Sequence, residues 1–101
     1  MAFKLYFLER FERHLDEAID HYAKIIKRNA ERLVNDVYET IDFLAQNPLL
    51  FEKVTRKRRK TNLKVYPYKV IYEIEKDALF IVGLVHHKRH PKYWRRRYKR
   101  D

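Results

Sequence analysis

Residues 63–94, LKVYPYKVIYEIEKDALFIVGLVHHKRHPKYW, decide the fold. From Pro67 onward Tyr68, Val70, Tyr72 and Ile74 alternate with Lys69, Glu73 and Glu75, the period of two that marks a half-buried strand. Lys76 and Asp77 supply a turn. Residues 79–85 then run almost unbroken through apolar, β-branched and aromatic side chains, as a central strand covered on both faces requires. Pro67 donates no ladder bond, so Lys64, Val65 and Tyr66 are read as a separate strand or edge segment joined through a bend. At least three antiparallel strands are therefore expected here.

At the end of the central strand the composition changes within one residue, from Leu84 and Val85 to His86, His87, Lys88, Arg89 and His90. Strand-end loops are where a rigid scaffold presents functional groups, because strand backbone is committed to the ladder. Parity places His86 and His87 on opposite faces, so only one of them serves a given partner.

Upstream, Phe3, Leu5 and Phe7 alternate with Lys4 and Tyr6 as a short first strand. Phe11, Leu15, Ala18, Ile19, Tyr22, Ile25 and Ile26 then recur at three and four residues, backed by Glu12, Asp16, Glu17 and Asp20. A second stripe, Ala30, Leu33, Val34, Val37, Ile41 and Leu44, stops at Asn47 and Pro48. Asn29 is the expected cap between two helices folded as a hairpin, since one continuous helix would run about 58 Å, too long for a small sheet. Residues 48–62 lack apolar periodicity after Phe51 and Val54 and read as a basic connecting loop. Tyr22, Tyr38, Tyr68 and Tyr72 lie on or beside the stripes and read as core, and Trp94 as a pin holding the C-terminus on the sheet.

The 101 residues make a single α+β domain, 1–101, with a 46% hydrophobic content sufficient for one core. No apolar run approaches the roughly 20 residues of a membrane span, and no signal peptide is read at residues 1–8. The absence of cysteine excludes disulfides and thiolate metal sites and suits a cytoplasmic location. Charge is uneven: residues 1–52 carry seven Lys/Arg against ten Asp/Glu, and residues 53–101 carry seventeen against four. Lys53, Arg56, Lys57, Arg58, Arg59 and Lys60 form one cluster; Lys88, Arg89, Lys92, Arg95, Arg96, Arg97, Lys99 and Arg100 form the other. Brought side by side by the hairpin, they would make one field for nucleic acid or an acidic protein.

The strand–helix–helix–three-strand order, the helix ending Gln46-Asn47-Pro48, the string from Tyr66 to Ile74, and His87-Lys88-Arg89-His90-Pro91 with Tyr93-Trp94 together resemble the RelE/ParE superfamily of bacterial type II toxins, plasmid-stabilisation proteins among them. The resemblance implies a toxin held inactive by a cognate antitoxin that wraps its helices and sheet in a hetero-oligomer. RelE-like members cleave mRNA in the ribosomal A site, whereas ParE-like members poison DNA gyrase. By position Lys69 matches a strand arginine of RelE-like toxins, Lys64 a basic residue before it, Lys88 or Arg89 the arginine after the last strand, and Tyr93 or Trp94 the C-terminal tyrosine.

Cleaving RNA through its own 2′-hydroxyl needs a base, cations on the phosphate and an acid for the leaving oxygen. The expected catalytic set is His87, Lys69, Arg89 and Tyr93, with His86 and His90 as further acid or base candidates. Arg56, Lys57, Arg58, Arg59, Lys60, Lys64, Lys88 and His90 are the expected RNA contacts. Zinc is disfavoured for the three histidines, because the surrounding lysines and arginines repel a dication and no carboxylate lies between Ala78 and Arg100. No cofactor is implied. The leading reading is a ribosome-dependent mRNA endonuclease toxin. The alternatives are a ParE-like non-enzymatic gyrase inhibitor, which the lysine at position 69 favours, and a catalytically inactive binding module.

Overall fold

Phe11, Leu15 and Ala18 enter the core from α1 (Glu9–Ala23) of the computed structural model, which describes residues 3–25 and 27–89. Glu9 and Glu12 sit in its first turn, where the helix dipole favours negative charge. After three residues α2 (Lys27–Gln46) begins, and its Leu33, Val37, Ile41 and Leu44 are buried along one stripe. The two helices pack on each other, as expected of a hairpin. The junction differs from expectation: Asn29 lies inside α2, and Ile25, assigned to the first stripe, is 63% exposed beyond the end of α1. Asn47 closes α2 by donating its amide and its Nδ2 to the Phe43 carbonyl, immediately before Pro48. No helix among the described residues is long and apolar enough to cross a membrane.

Four strands form one mixed sheet in the order β1-β4-β3-β2: β1 (Lys4–Phe7), β2 (Arg58–Asn62), β3 (Tyr68–Glu75) and β4 (Ala78–His86). β2, β3 and β4 are antiparallel, and β1 runs parallel to β4, the pairing that a long crossover through two helices permits. β4 is central, and Lys76 takes the turn before it at φ 58°. On the helix side Val70, Tyr72, Leu79, Ile81 and Leu84 join Phe11, Leu33 and Leu44 in the main core. On the other side Ile71, Val82 and Val85 pack with Val54.

Three expectations are corrected here. β3 is not half-buried: Val70, Ile71 and Tyr72 are all fully covered, because Val54 brings a second apolar layer to the outer face. Residues 48–62 are not a plain loop, since residues 58–62 form edge strand β2. Its outer rim is closed by the segment before it, through Lys60 N–H to the Glu52 carbonyl and Val54 N–H to the Arg58 carbonyl. Lys64, Val65 and Tyr66 are not a strand. Their three amides converge on the buried carboxylate of Asp36 in α2, at 3.2, 2.9 and 3.0 Å.

A fourth difference decides what reaches the candidate site. In the β3–β4 ladder Ile71 pairs with Gly83 but Tyr72 pairs with Ile81, so β4 carries one extra residue at Val82. Before the bulge odd-numbered Leu79 and Ile81 face the helices; after it even-numbered Leu84 does, and Val85 faces away. The bulge therefore turns His86, rather than His87, toward α1.

Of the four tyrosines read as core, Tyr72 is fully buried and donates to the Pro48 carbonyl at 2.7 Å. Tyr22 and Tyr68 pack at the margin of the main core. Tyr38 is 42% exposed and lies against Phe7 at the surface.

Candidate functional site

His14, Glu17, Ala18 and His21 recur along one face of α1, and that face meets the bulged end of β4. Between the two elements lies a cleft of about 190 Å³ lined by His14, Glu17, Tyr68, Leu84, His86 and Arg89. It continues into a shallower groove lined by His21, Tyr68, His86, Lys88 and Arg89.

Backbone geometry fixes both imidazoles. β1 pairs with β4 only as far as Ile81, which accepts from the Leu8 amide. Beyond that point the Leu84 amide donates to His14 Nδ1 at 3.2 Å. At the strand end the Lys88 amide donates to His86 Nδ1 at 3.1 Å, and the Arg89 amide to the His86 carbonyl at 3.0 Å. An imidazole that accepts at Nδ1 carries its ring proton on Nε2, so both rings are neutral N–H donors. Tyr68 meets His86 edge-on at 5.1 Å between centroids and continues into an aromatic cluster with Tyr22 and Tyr66.

The electrostatics of the cleft are cationic. Burial, followed by the charges of Arg13, Arg10 and Arg89, lowers His14 to about 4. His86 is lowered by burial and then by Lys88, His87, Arg89 and His21. Tyr68 is raised, chiefly by burial and by Tyr22; Arg89 opposes the shift and Glu17 adds to it. At neutral pH the cleft thus holds two neutral imidazoles and a protonated phenol beside a guanidinium. Such a set donates hydrogen bonds to an oxyanion.

Of the expected catalytic residues that are described, Arg89 lines the cleft and Lys69 and His87 do not. His87 is exposed, and its amide donates to the Pro67 carbonyl at 2.9 Å. Lys69 shares the outer face of β3 with Ile71 and is only 8% exposed. Burial and then neighbouring Lys60 lower its ammonium pKa, with Glu52 opposing. Tyr93 and His90, like Lys92, Trp94 and the basic residues 95–100, lie outside the described residues.

The expected RNA contacts divide as well. Lys64 and Lys88 are exposed near the cleft end of the sheet, while Arg56 and Lys57 are exposed at the other. Glu73, the partner of Arg58, and Tyr68, the partner of His86, are five residues apart on β3, about 17 Å along the strand. Lys88 and Arg89, the two described members of the second cluster, therefore lie at the opposite end of the sheet from Arg56 and Lys57, and the other six members lie outside the described residues. Arg58 is buried against Glu73. Arg59 donates Nη1 to the Phe51 carbonyl at 2.6 Å, and Lys60 lies 3.9 Å from Glu52. These three are engaged with the protein itself.

His14, Glu17 and His21, which line the cleft and groove, are not among the residues expected from sequence, although their spacing of three and four marks one helix face beside the first apolar stripe. The bulge, which simple alternation does not signal, gives His86 rather than His87 to the cleft.

The chain matches, over residues 5–91, the family described as the ParE toxin of the type II toxin–antitoxin system, parDE. Among solved structures, one described as the chromosomal ParDE TA system from P. aeruginosa is similar, with a TM-score of 0.74 at 19% identity. The match covers 84% of this chain and 96% of that one. At that identity the likeness concerns the fold. No curated protein matches the chain.

Proposed function

The chain belongs to the ParE toxin family of type II toxin–antitoxin systems, and from that premise we propose that it arrests growth by binding DNA gyrase, without cutting nucleic acid itself, until a cognate antitoxin sequesters it. The observation that carries this reading over mRNA cleavage is the separation of Lys69 from Arg89. An endonuclease of the expected kind needs both cations on one phosphate. Here Lys69 is buried on the outer face of β3, while Arg89 lies in the turn after β4 and lines a cleft against α1 that Lys69 does not reach. A gyrase inhibitor needs no such convergence, only a stable surface.

The test is a supercoiling assay with purified gyrase, relaxed plasmid and purified toxin. Supercoiling is expected to fall as toxin is added and to recover when the antitoxin, a short acidic protein encoded beside the toxin, is supplied. Full supercoiling at excess toxin, together with new cleavage sites on a translated message after induction, overturns the reading in favour of the ribosome-dependent endonuclease.

A further inference from the structure

We propose that the cleft between α1 and the end of β4 is a binding site for a phosphoryl group, held by Arg89 and by the ring N–H groups of His14 and His86, with Tyr68 on its flank. The cleft, at about 190 Å³, has room for roughly six waters at ~30 Å³ each, enough for a phosphoryl group with part of its solvation. Its donors approach from two pieces of chain: His14 from α1, and His86 and Arg89 from the end of β4 and the turn after it. That arrangement suits a tetrahedral oxyanion, whose oxygens point in several directions. A planar carboxylate would be satisfied by the guanidinium fork alone.

The hydrogen bonds from the Leu84 and Lys88 amides hold both rings as Nε2–H donors before any ligand arrives. Preorganised donors lose little on binding. Cations also outnumber acids around the lining: Arg10, Arg13 and Arg89 act on His14, and Lys88 and Arg89 on His86, whereas among the described residues Glu17 is the one carboxylate in the wall. Glu17 is exposed, as are Arg89 and Lys88, so water screens all three charges. The adjoining groove past His21 and Lys88 gives the rest of a phosphate ester a way out. The proposal does not rest on the gyrase reading, and its test contains no gyrase.

The experiment is an NMR titration of the purified chain with inorganic phosphate, a mononucleotide and a short single-stranded oligonucleotide in separate arms. Saturable shifts are expected at the Leu84 and Lys88 amides. A bound dianion should also raise the titration points of both imidazoles, which a merely structural cleft would not show. Arg89→Ala and His86→Ala should each weaken binding roughly tenfold or more, as loss of a hydrogen bond to a charged group implies. Arg56→Ala, which removes one charge at the far end of the sheet, should change it less than about twofold. Inorganic phosphate binding as tightly as the oligonucleotide identifies a free phosphoryl ligand. Tighter oligonucleotide binding that still depends on Arg89 identifies a backbone phosphate, and both support the site. Absence of saturation in every arm, or equal weakening by Arg56→Ala and Arg89→Ala, overturns it.

Discussion

Arg58 Nε donates to Glu73 Oε1 at 2.7 Å across the β2–β3 ladder, with the two side chains only 6% and 8% exposed. A residue that reads as one of six cations in a solvated run is thus half of a buried ion pair. Glu73→Ala strands the guanidinium in a dry site and should cost about 3–5 kcal/mol, lowering the melting temperature by at least ~12 °C. The paired replacement Arg58→Met with Glu73→Leu should stay within about 1–2 kcal/mol of wild type, since it removes both charges together. Thermal melts of the single and double variants check this, and a Glu73→Ala melt within a degree of wild type sinks it.

Asp36 is a single carboxylate receiving three consecutive amides, from Lys64, Val65 and Tyr66. It replaces the ladder that this segment lacks, and it fixes the entry into β3 just before Pro67. Asp36→Ala should cost about 2–4 kcal/mol, the range for losing charge-assisted hydrogen bonds at partly buried donors. The urea midpoint is the measurement. Hydrogen exchange at those three amides should accelerate more than exchange within β3, because the damage is local. Uniform acceleration across the sheet would mean that Asp36 supports the whole fold rather than this one connection.

The elements legible in the sequence are those set by local periodicity: both helical stripes, the short first strand, the Lys76–Asp77 turn and the apolar central strand. What failed to show depends on contacts between distant segments. Strand β2 is five polar residues, Arg58–Asn62, whose strand conformation comes from pairing with β3 and from the covering segment at Glu52 and Val54. Lys69 looks solvent-facing by alternation, yet the second apolar layer around Val54 closes that face. The bulge at Val82 is invisible because every residue around it is apolar. It changes which histidine reaches the cleft, so the family resemblance is readable in the sequence while the lining of the cleft is not.

His14 couples that cleft to pH. Its imidazole titrates near 6.5 in the unfolded chain and about 4 in the folded one. The folded state therefore takes up the proton less readily, and stability present above pH 6.5 is lost as pH falls toward 4. The full shift corresponds to about 3 kcal/mol, and solvent screening at an open cleft reduces the expected loss to about 1–2 kcal/mol. His14→Gln keeps an acceptor for the Leu84 amide and removes the titrating group. Because carboxylates titrate alike in both proteins, the difference between their melting curves from pH 7 to 4 isolates the imidazole. Parallel curves would show that His14 carries no such linkage.

Lys69 and His87 separate the two toxin mechanisms most directly. If RNA cleavage operated through the expected set, removing both would abolish growth arrest. The fold instead places Lys69 beneath a covered sheet face and His87 on an exposed turn, with neither lining the cleft that holds His14, His86 and Arg89. Lys69→Met retains most of the buried stem and removes a desolvated ammonium, so the fold should be kept to within about 1 kcal/mol. Under the gyrase-directed mechanism, Lys69→Met with His87→Ala should arrest growth on induction as strongly as wild type and inhibit supercoiling at the same toxin concentration. Loss of growth arrest with an unchanged melting temperature would return both residues to an active site and the protein to the endonuclease class. Loss of both together would mean only that Lys69 supports the outer layer, and restoring the fold with Lys69→Arg would then decide whether toxicity follows the charge or the packing.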